Sequence, residues 1–359
     1  MRKYTPFLKM KVNELGAIES LPSDVGEMVR PFFDLPHKPD RTEPDLITLI
    51  GRAAKKMRKL EKAVPSFFLD LYDIPDALTI SGASPFYFLV GEFSGLDFIP
   101  VVGLDRTSAY VDAVMASRSK SLIVSRVLAI RLVQDDFQSY TAIKSDLDGL
   151  IASAKAAGFQ SFILVVDMRV CGNQLPADLA KLVEKFVSTA SANKMFSEVI
   201  ITGSTIPAQI GELIETESES HVERHEIEVF KILNGSLSPG YVGFGDYTVV
   251  SPNYSDVTLP PELLRNVTAP KICYTYGDVH FITRGGALKT HKRGSLQYND
   301  MAADIVKKSF FRKAGYSLGE DFLIEKSKMQ GKECTPSSVL KPTICTHMTY
   351  MVRDHPLFV

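Results

Sequence analysis

A short apolar run followed by a helical stretch recurs about eight times along this chain, and that beat constrains the fold more than any motif. The runs cover residues 5–10, 28–33, 66–71, 98–104, 124–133, 161–166, 199–202 and 241–250. Most stop on a polar residue or a glycine: Lys11, Asp34, Asp73, Asp105, Asp167 and Gly203. Short buried strands alternating with helices build a parallel sheet. Eight of them predict a closed, TIM-like (β/α)8 barrel, an α/β fold whose functional groups gather at the C-terminal strand ends.

The length of 359 residues exceeds the roughly 250–300 residues at which single cores stop growing. The expected division is a barrel over residues 1–255 and a small C-terminal α/β appendage over 256–359, packed on the barrel. In the appendage, residues 272–276 and 279–283 flank Gly277-Asp278 and predict a hairpin. A helix is expected over 296–313, followed by about forty irregular residues bearing Cys, His and Pro.

Lys plus Arg number 41 against 42 Asp plus Glu, a net charge of −1. No global field favours nucleic acid or an anionic membrane. The four cysteines, Cys171, Cys273, Cys334 and Cys345, are widely spaced without CxxC pairing, which argues against structural zinc and a disulfide framework. No apolar run reaches about 18 residues, so no membrane span is expected. Residues 1–10 lack a secretion signal. A cytoplasmic protein with reduced thiols is the expectation.

Along the chain, Asn13 is a candidate N-cap, and the segment 45–62 places Leu49, Ile50, Ala53, Met57 and Leu60 near helical spacing. Arg126 and Arg131 interrupt the fifth apolar run and, five apart, face opposite sides of a strand. Pro207 suits the first turn of a helix. His221 and His225 stand four apart on a Glu-rich segment that reads as an exposed helix face.

Both ends of the chain carry motifs whose order is informative. They are Tyr4-x-Pro6-x-Leu8-Lys9-x-Lys11-x-x-Glu14, Pro31-Phe-Phe-Asp34, Gly245-Asp246-Tyr247, Tyr276-Gly277-Asp278, Arg284-Gly285, Gln297-Tyr298, Gly319-Glu320-Asp321 and His347-x-Thr349. In this order the sequence resembles the phage-type beta protein family of phages and bacteria. Only His347 stands where that family carries a His-His pair, and Asp34 stands where Glu is usual. The resemblance implies an association with phage–bacterium conflict and carries no reaction with it.

Four constellations could carry chemistry. Lys9 and Lys11, two apart, leave one face of a strand and, with Glu14 near and Asp34 and Asp167 as counter-ions, could hold a phosphate or form an ion-pair layer filling the barrel. The ring Asp34, Asp70 or Asp73, Asp105 and Asp167 could bind Mg²⁺ or Mn²⁺, act as acid and base, or cap the following helices. Arg131 and Arg169 offer forks for a carboxylate or phosphate, or pairs for Asp105 and Asp167. Gly203-Ser204-Thr205, read as opening a helix, and Gly245-Asp246 could hold a phosphate after strands seven and eight.

Two functions follow. One is a hydrolase of a phosphoester or other anionic substrate, with Lys11, Asp34, Asp105, Asp167 and Arg131 catalytic and Lys9, Arg169, Ser204, Asp246 and His347 binding substrate. The other is a non-enzymatic module that binds a protein partner.

Overall fold

A computed structural model describes residues 3–192, 195–237, 241–253 and 268–358. Eight parallel strands close into a barrel: β1 (Thr5–Lys9), β2 (Phe32–Asp34), β3 (Phe67–Asp70), β4 (Phe98–Val102), β5 (Val127–Val133), β6 (Ser161–Val170), β7 (Glu198–Ser204) and β9 (Val242–Asp246). All eight apolar runs therefore became barrel strands. β9 closes the ring by pairing with both β7 and β1. Because every pairing is parallel, all C-terminal strand ends open at one rim.

The helices between strands bury one stripe each against the barrel. The helix Glu43–Leu60 starts on a capping box, with Thr42 and Asp45 exchanging side-chain and backbone hydrogen bonds. It buries Leu46, Ile50, Ala53, Met57 and Leu60, close to the predicted stripe. Val12–Glu19 takes Lys11 as its N-cap, two residues before Asn13; Asn13 Nδ2 instead donates to Ser337 Oγ at 3.0 Å.

Inside the barrel, alternate residues of each strand make a second core of Phe7, Phe32, Phe68, Val101, Ile163 and Ile200, among others. Phe7 stacks on Phe32 at 4.2 Å between centroids, and Phe32 on Phe68 at 5.4 Å. These rings fill the channel, and Gly245 leaves room for them. A Cβ there would lie 2.5 Å from Thr5 O and 2.7 Å from the Phe7 ring. Gly245→Ala is therefore expected to cost about 1–3 kcal/mol through overpacking, read as a lowered urea midpoint. An unchanged midpoint would contradict this packing.

The rest of the chain departs from expectation in several places. Residues 218–223 form a strand, β8 (Ser218–Glu223), where an exposed helix face was expected. It pairs antiparallel with β11 (Val279–Arg284), which also pairs with β10 (Lys271–Tyr276), so the predicted hairpin is one part of a three-stranded sheet. One strand of that sheet thus comes from between two barrel strands. The helix expected over 296–313 ends sooner, as Gln297–Val306. The expected irregular tail contains helices Leu318–Ser327 and Pro336–Arg353, the latter with Pro342 inside it. Pro207 lies in a loop, since no α-helix follows β7 until His225–Ser236. A third core, including Tyr274, Phe281, Tyr298 and Leu323, holds the sheet to its helices. No helix among the described residues is long and apolar enough to cross a membrane.

Candidate functional site

The rim is organised around Arg131, which β5 points inward and buries completely. Its Nη1 donates to Asp34 Oδ1 and Asp70 Oδ2, each at 2.9 Å. Nε and Nη2 donate to Asp167 Oδ2 at 3.0 and 2.6 Å, and Nη2 also reaches Tyr247 Oη at 2.8 Å. Tyr247 in turn donates to Asp167 at 2.6 Å. Period-two alternation explains the convergence, because Lys9, Asp34, Asp70, Arg131 and Asp167 all follow inward core positions on their strands.

Further cations ring this floor. Lys9 pairs with Asp34 at 2.9 Å and with Asp73. Arg106 forks onto Asp70 at 3.0 and 2.9 Å and pairs with Asp105. Three guanidiniums surround one ring: Arg131, Arg106 and Arg169 lie 4.3, 4.7 and 4.7 Å from the Tyr72 centroid. Burial pushes the Asp34 carboxyl up, but Arg131 and Lys9 outweigh it and hold it at about 2. Burial of Tyr247 raises its phenol, which stays a neutral donor.

The predicted residues thus separate. Lys9, Asp34, Arg131 and Asp167 meet in a buried, mutually paired floor, and Asp105 and Arg169 stand at its open edge. The carboxylates of the acidic ring point at guanidiniums. Among the described residues no group of three or more His, Cys, Asp or Glu side chains is placed to hold a metal ion.

Five predicted residues lie elsewhere. The first strand ends at Lys9, so Lys11 turns outward onto the groove between Val12–Glu19 and Glu43–Leu60. Glu14 is buried with Oε2 unpartnered, and burial raises its carboxyl. Ser204 ends β7 and opens no helix; it donates to Val250 O at 3.2 Å and accepts from Ile206 N at 3.1 Å, bracing the loop. Asp246 and His347 sit on the outer wall, because Tyr247 takes the inward position. There Asp246 meets Tyr4, Arg224 and His347 Nε2, the last at 3.1 Å. His347 Nδ1 bonds Thr275 at 2.8 Å. His221 and His225 have separate partners, Tyr276 and Gln174 O.

Sequence reasoning overlooked Tyr72, Arg106 and Tyr247. Arg106 directly follows a strand-end aspartate, and Tyr247 lies two residues beyond Gly245 on the inward face; both signals were available.

Arg169 differs from the other rim cations. Its backbone adopts φ +52°, with its N–H on Asp167 Oδ1 at 2.9 Å. Its guanidinium reaches Tyr247 Oη at 3.4 Å, Pro252 O at 3.0 Å and Asn253 Oδ1 at 2.8 Å. Among the described residues it has no carboxylate at ion-pair distance. It borders a cleft of about 390 Å³ lined by Gln134, Asn173, Gln174, Glu212 and Asn253.

The sequence pattern of the Beta protein family matches residues 4–353. The chain belongs to the Beta protein family. In this family member the motifs divide between two places. Lys9, Asp34 and Tyr247 build the floor of the rim, while Tyr4, Asp246 and His347 build the seam between the barrel and the helix Pro336–Arg353. Glu320 ties Tyr274, Arg312, Ser317 and Thr346 together behind that seam.

Among curated proteins none matches the sequence. Among solved structures, the chain is similar to triosephosphate isomerase from Bartonella henselae, at 13% identity and TM-score 0.33, over 68% of this chain and 92% of that one. It is similar to dihydropteroate synthase from Xanthomonas albilineans at 14% identity and TM-score 0.37, over 69% and 88%. A glucosidase from Croceicoccus marinus aligns at 13% identity and TM-score 0.35; 52% of this chain spans 45% of that one.

Proposed function

We propose that the rim binds an anionic small molecule and, in its most specific form, hydrolyses a phosphoester. Arg169 carries this reading. A non-glycine residue in the left-handed region costs about 1–3 kcal/mol and marks functional sites. Here that strain presents to a polar cleft a guanidinium with no carboxylate partner among the described residues, an arrangement suited to a forked contact with phosphate or carboxylate. Arg106 supplies a second cation nearby. Asp105, with its side chain 32% exposed, is a carboxylate open enough to exchange a proton with a substrate. Arg131, Asp34 and Asp167 act as the buried scaffold that fixes these groups.

The test is titration with inorganic phosphate, with a screen of phosphoesters with and without added Mg²⁺ or Mn²⁺. Arg169→Gln is expected to weaken phosphate at least tenfold, about 1.4 kcal/mol, and Asp105→Asn to lower turnover while phosphate still binds. Phosphate affinity equal in wild type and Arg169→Gln would overturn the anion site; turnover equal in all three proteins would overturn the hydrolase.

One observation favours a second reading, a non-catalytic module that binds a protein partner in phage–bacterium conflict. Val12 is 87% exposed and borders the outer groove that Lys11 and Leu49 also line. A partner seated in this groove would cover Val12 together with Leu49 and the stem of Lys11.

A further inference from the structure

We infer that the rim selects an ester with a single anionic group, whose body is an uncharged ring bearing hydroxyl or amino groups, seated in the cavity beside Arg106. This rests on the reading of Arg169 as the anion site and adds the rest of the ligand to it. The cavity measures about 660 Å³ and lies between the loops that follow β3 and β4. That is the size of a small-molecule site, about 300–1,000 Å³.

Its walls have two characters. Leu71, Ile74, Leu78 and Pro85 offer apolar surface. Its charged wall is acidic: Asp76 and Asp112 line it without an ion pair among the described residues, beside Asp73 and Asp105, which pair with Lys9 and Arg106. Arg106 is largely neutralised, since its terminal nitrogens already hold Asp70 and Asp105. Its side chain is 7% exposed, and its Nε is buried without a partner. A second anionic group on the ligand would meet these carboxylates and be repelled. Hydroxyl or amino hydrogens would be accepted by them.

Tyr72 lines the cavity and stands beside Arg169, which lines the cleft. Arg106 and Arg169 each lie 4.7 Å from its ring centroid, so their guanidinium carbons are at most twice that distance apart. One ring and one ester linkage span that gap.

Calorimetric titration of the full chain tests this with inorganic phosphate, glucose 6-phosphate, AMP and fructose 1,6-bisphosphate. In the wild type, glucose 6-phosphate or AMP is expected to bind at least tenfold more tightly than phosphate, and the bisphosphate more weakly than the monophosphates. Ala109→Trp, which fills the cavity from its exposed lip, is expected to bring the monophosphates down to the level of phosphate and leave phosphate unchanged. Monophosphates binding no better than phosphate would overturn the inference while leaving the anion site standing. Tighter binding of the bisphosphate, or full retention of the monophosphate advantage in Ala109→Trp, would also overturn it. Absence of phosphate binding in the wild type would remove the anion site and this inference together.

Discussion

Arg131→Met should destabilise the barrel by about 3–5 kcal/mol at pH 7, because removing one partner of a buried ion pair leaves an uncompensated charge. That is a large share of the roughly 5–15 kcal/mol typical of a folded domain. The loss falls unevenly. Asp34 keeps Lys9 and Asp70 keeps Arg106. Among the described residues Asp167 keeps only the hydroxyl of Tyr247 and the backbone N–H of Arg169.

The pH dependence separates this charge effect from lost packing. In the wild type Asp34 sits at about 2, below the value near 3.9 of an unfolded chain. Its stabilisation is therefore complete above about pH 3.9 and disappears as pH falls through 2. In the variant, the burial of Asp34 and Asp70 is opposed by one cation fewer, so both carboxyls move upward and protonating them offsets part of the loss. The gap between variant and wild type should shrink from pH 7 to pH 5 in urea unfolding. A constant gap would mean that Arg131 contributes packing alone, and wild-type stability at pH 7 would remove it from the floor altogether.

The barrel was legible because a strand buried on both faces has little freedom in composition. Residues 162–166, aliphatic but for one aromatic, could hardly be anything else. β8 was not legible for the converse reason. Ser218–Glu223 is an edge strand in which exposed positions alternate with half-buried ones, and its polar alternation resembles a solvated surface. Pro336–Arg353 was hidden by Pro342 and by three threonines, residues of low helix propensity. Its burial against β10 and Val12–Glu19 overrides that preference.

The site was legible where inward phase could be counted from an apolar run, as for Lys9, Asp34, Arg131 and Asp167. Asp246 was misplaced because strand-end position was counted without phase. Gly243, Gly245 and Tyr247 share one face, and Asp246 takes the other. Pairings such as Arg131 with Asp34, 97 residues apart, depend on barrel closure and have no local signature.

Arg224→Met is the counterpart at the seam, with an expected loss of about 3–5 kcal/mol. Arg224 is fully buried, donating Nε to Glu226 at 2.9 Å and Nη2 to Asp246. Without it, Glu226 retains Thr205 N and Oγ1 at 3.0 and 2.8 Å, and Asp246 retains Tyr4 and His347. His347 then becomes the available counter-charge. Burial, with Arg224 contributing, now holds it below its ordinary value. Burial likewise lowers His280 and brings His355 to about 4.

Neutral histidines with depressed values stabilise the wild type above about pH 6.5, the unfolded value. That stability is lost as pH falls through the folded values. In Arg224→Met the repulsion is gone while Asp246 and Glu226 remain, so the His347 value rises and its protonation opposes the loss. NMR titration should show His347 moving upward, and the stability gap to wild type should be smaller at pH 5.5 than at pH 8. Amides of β10 and β11 should lose exchange protection before those of β5 and β6, because the seam opens first. A His347 titration unchanged by the substitution would mean that the four side chains do not share one electrostatic network.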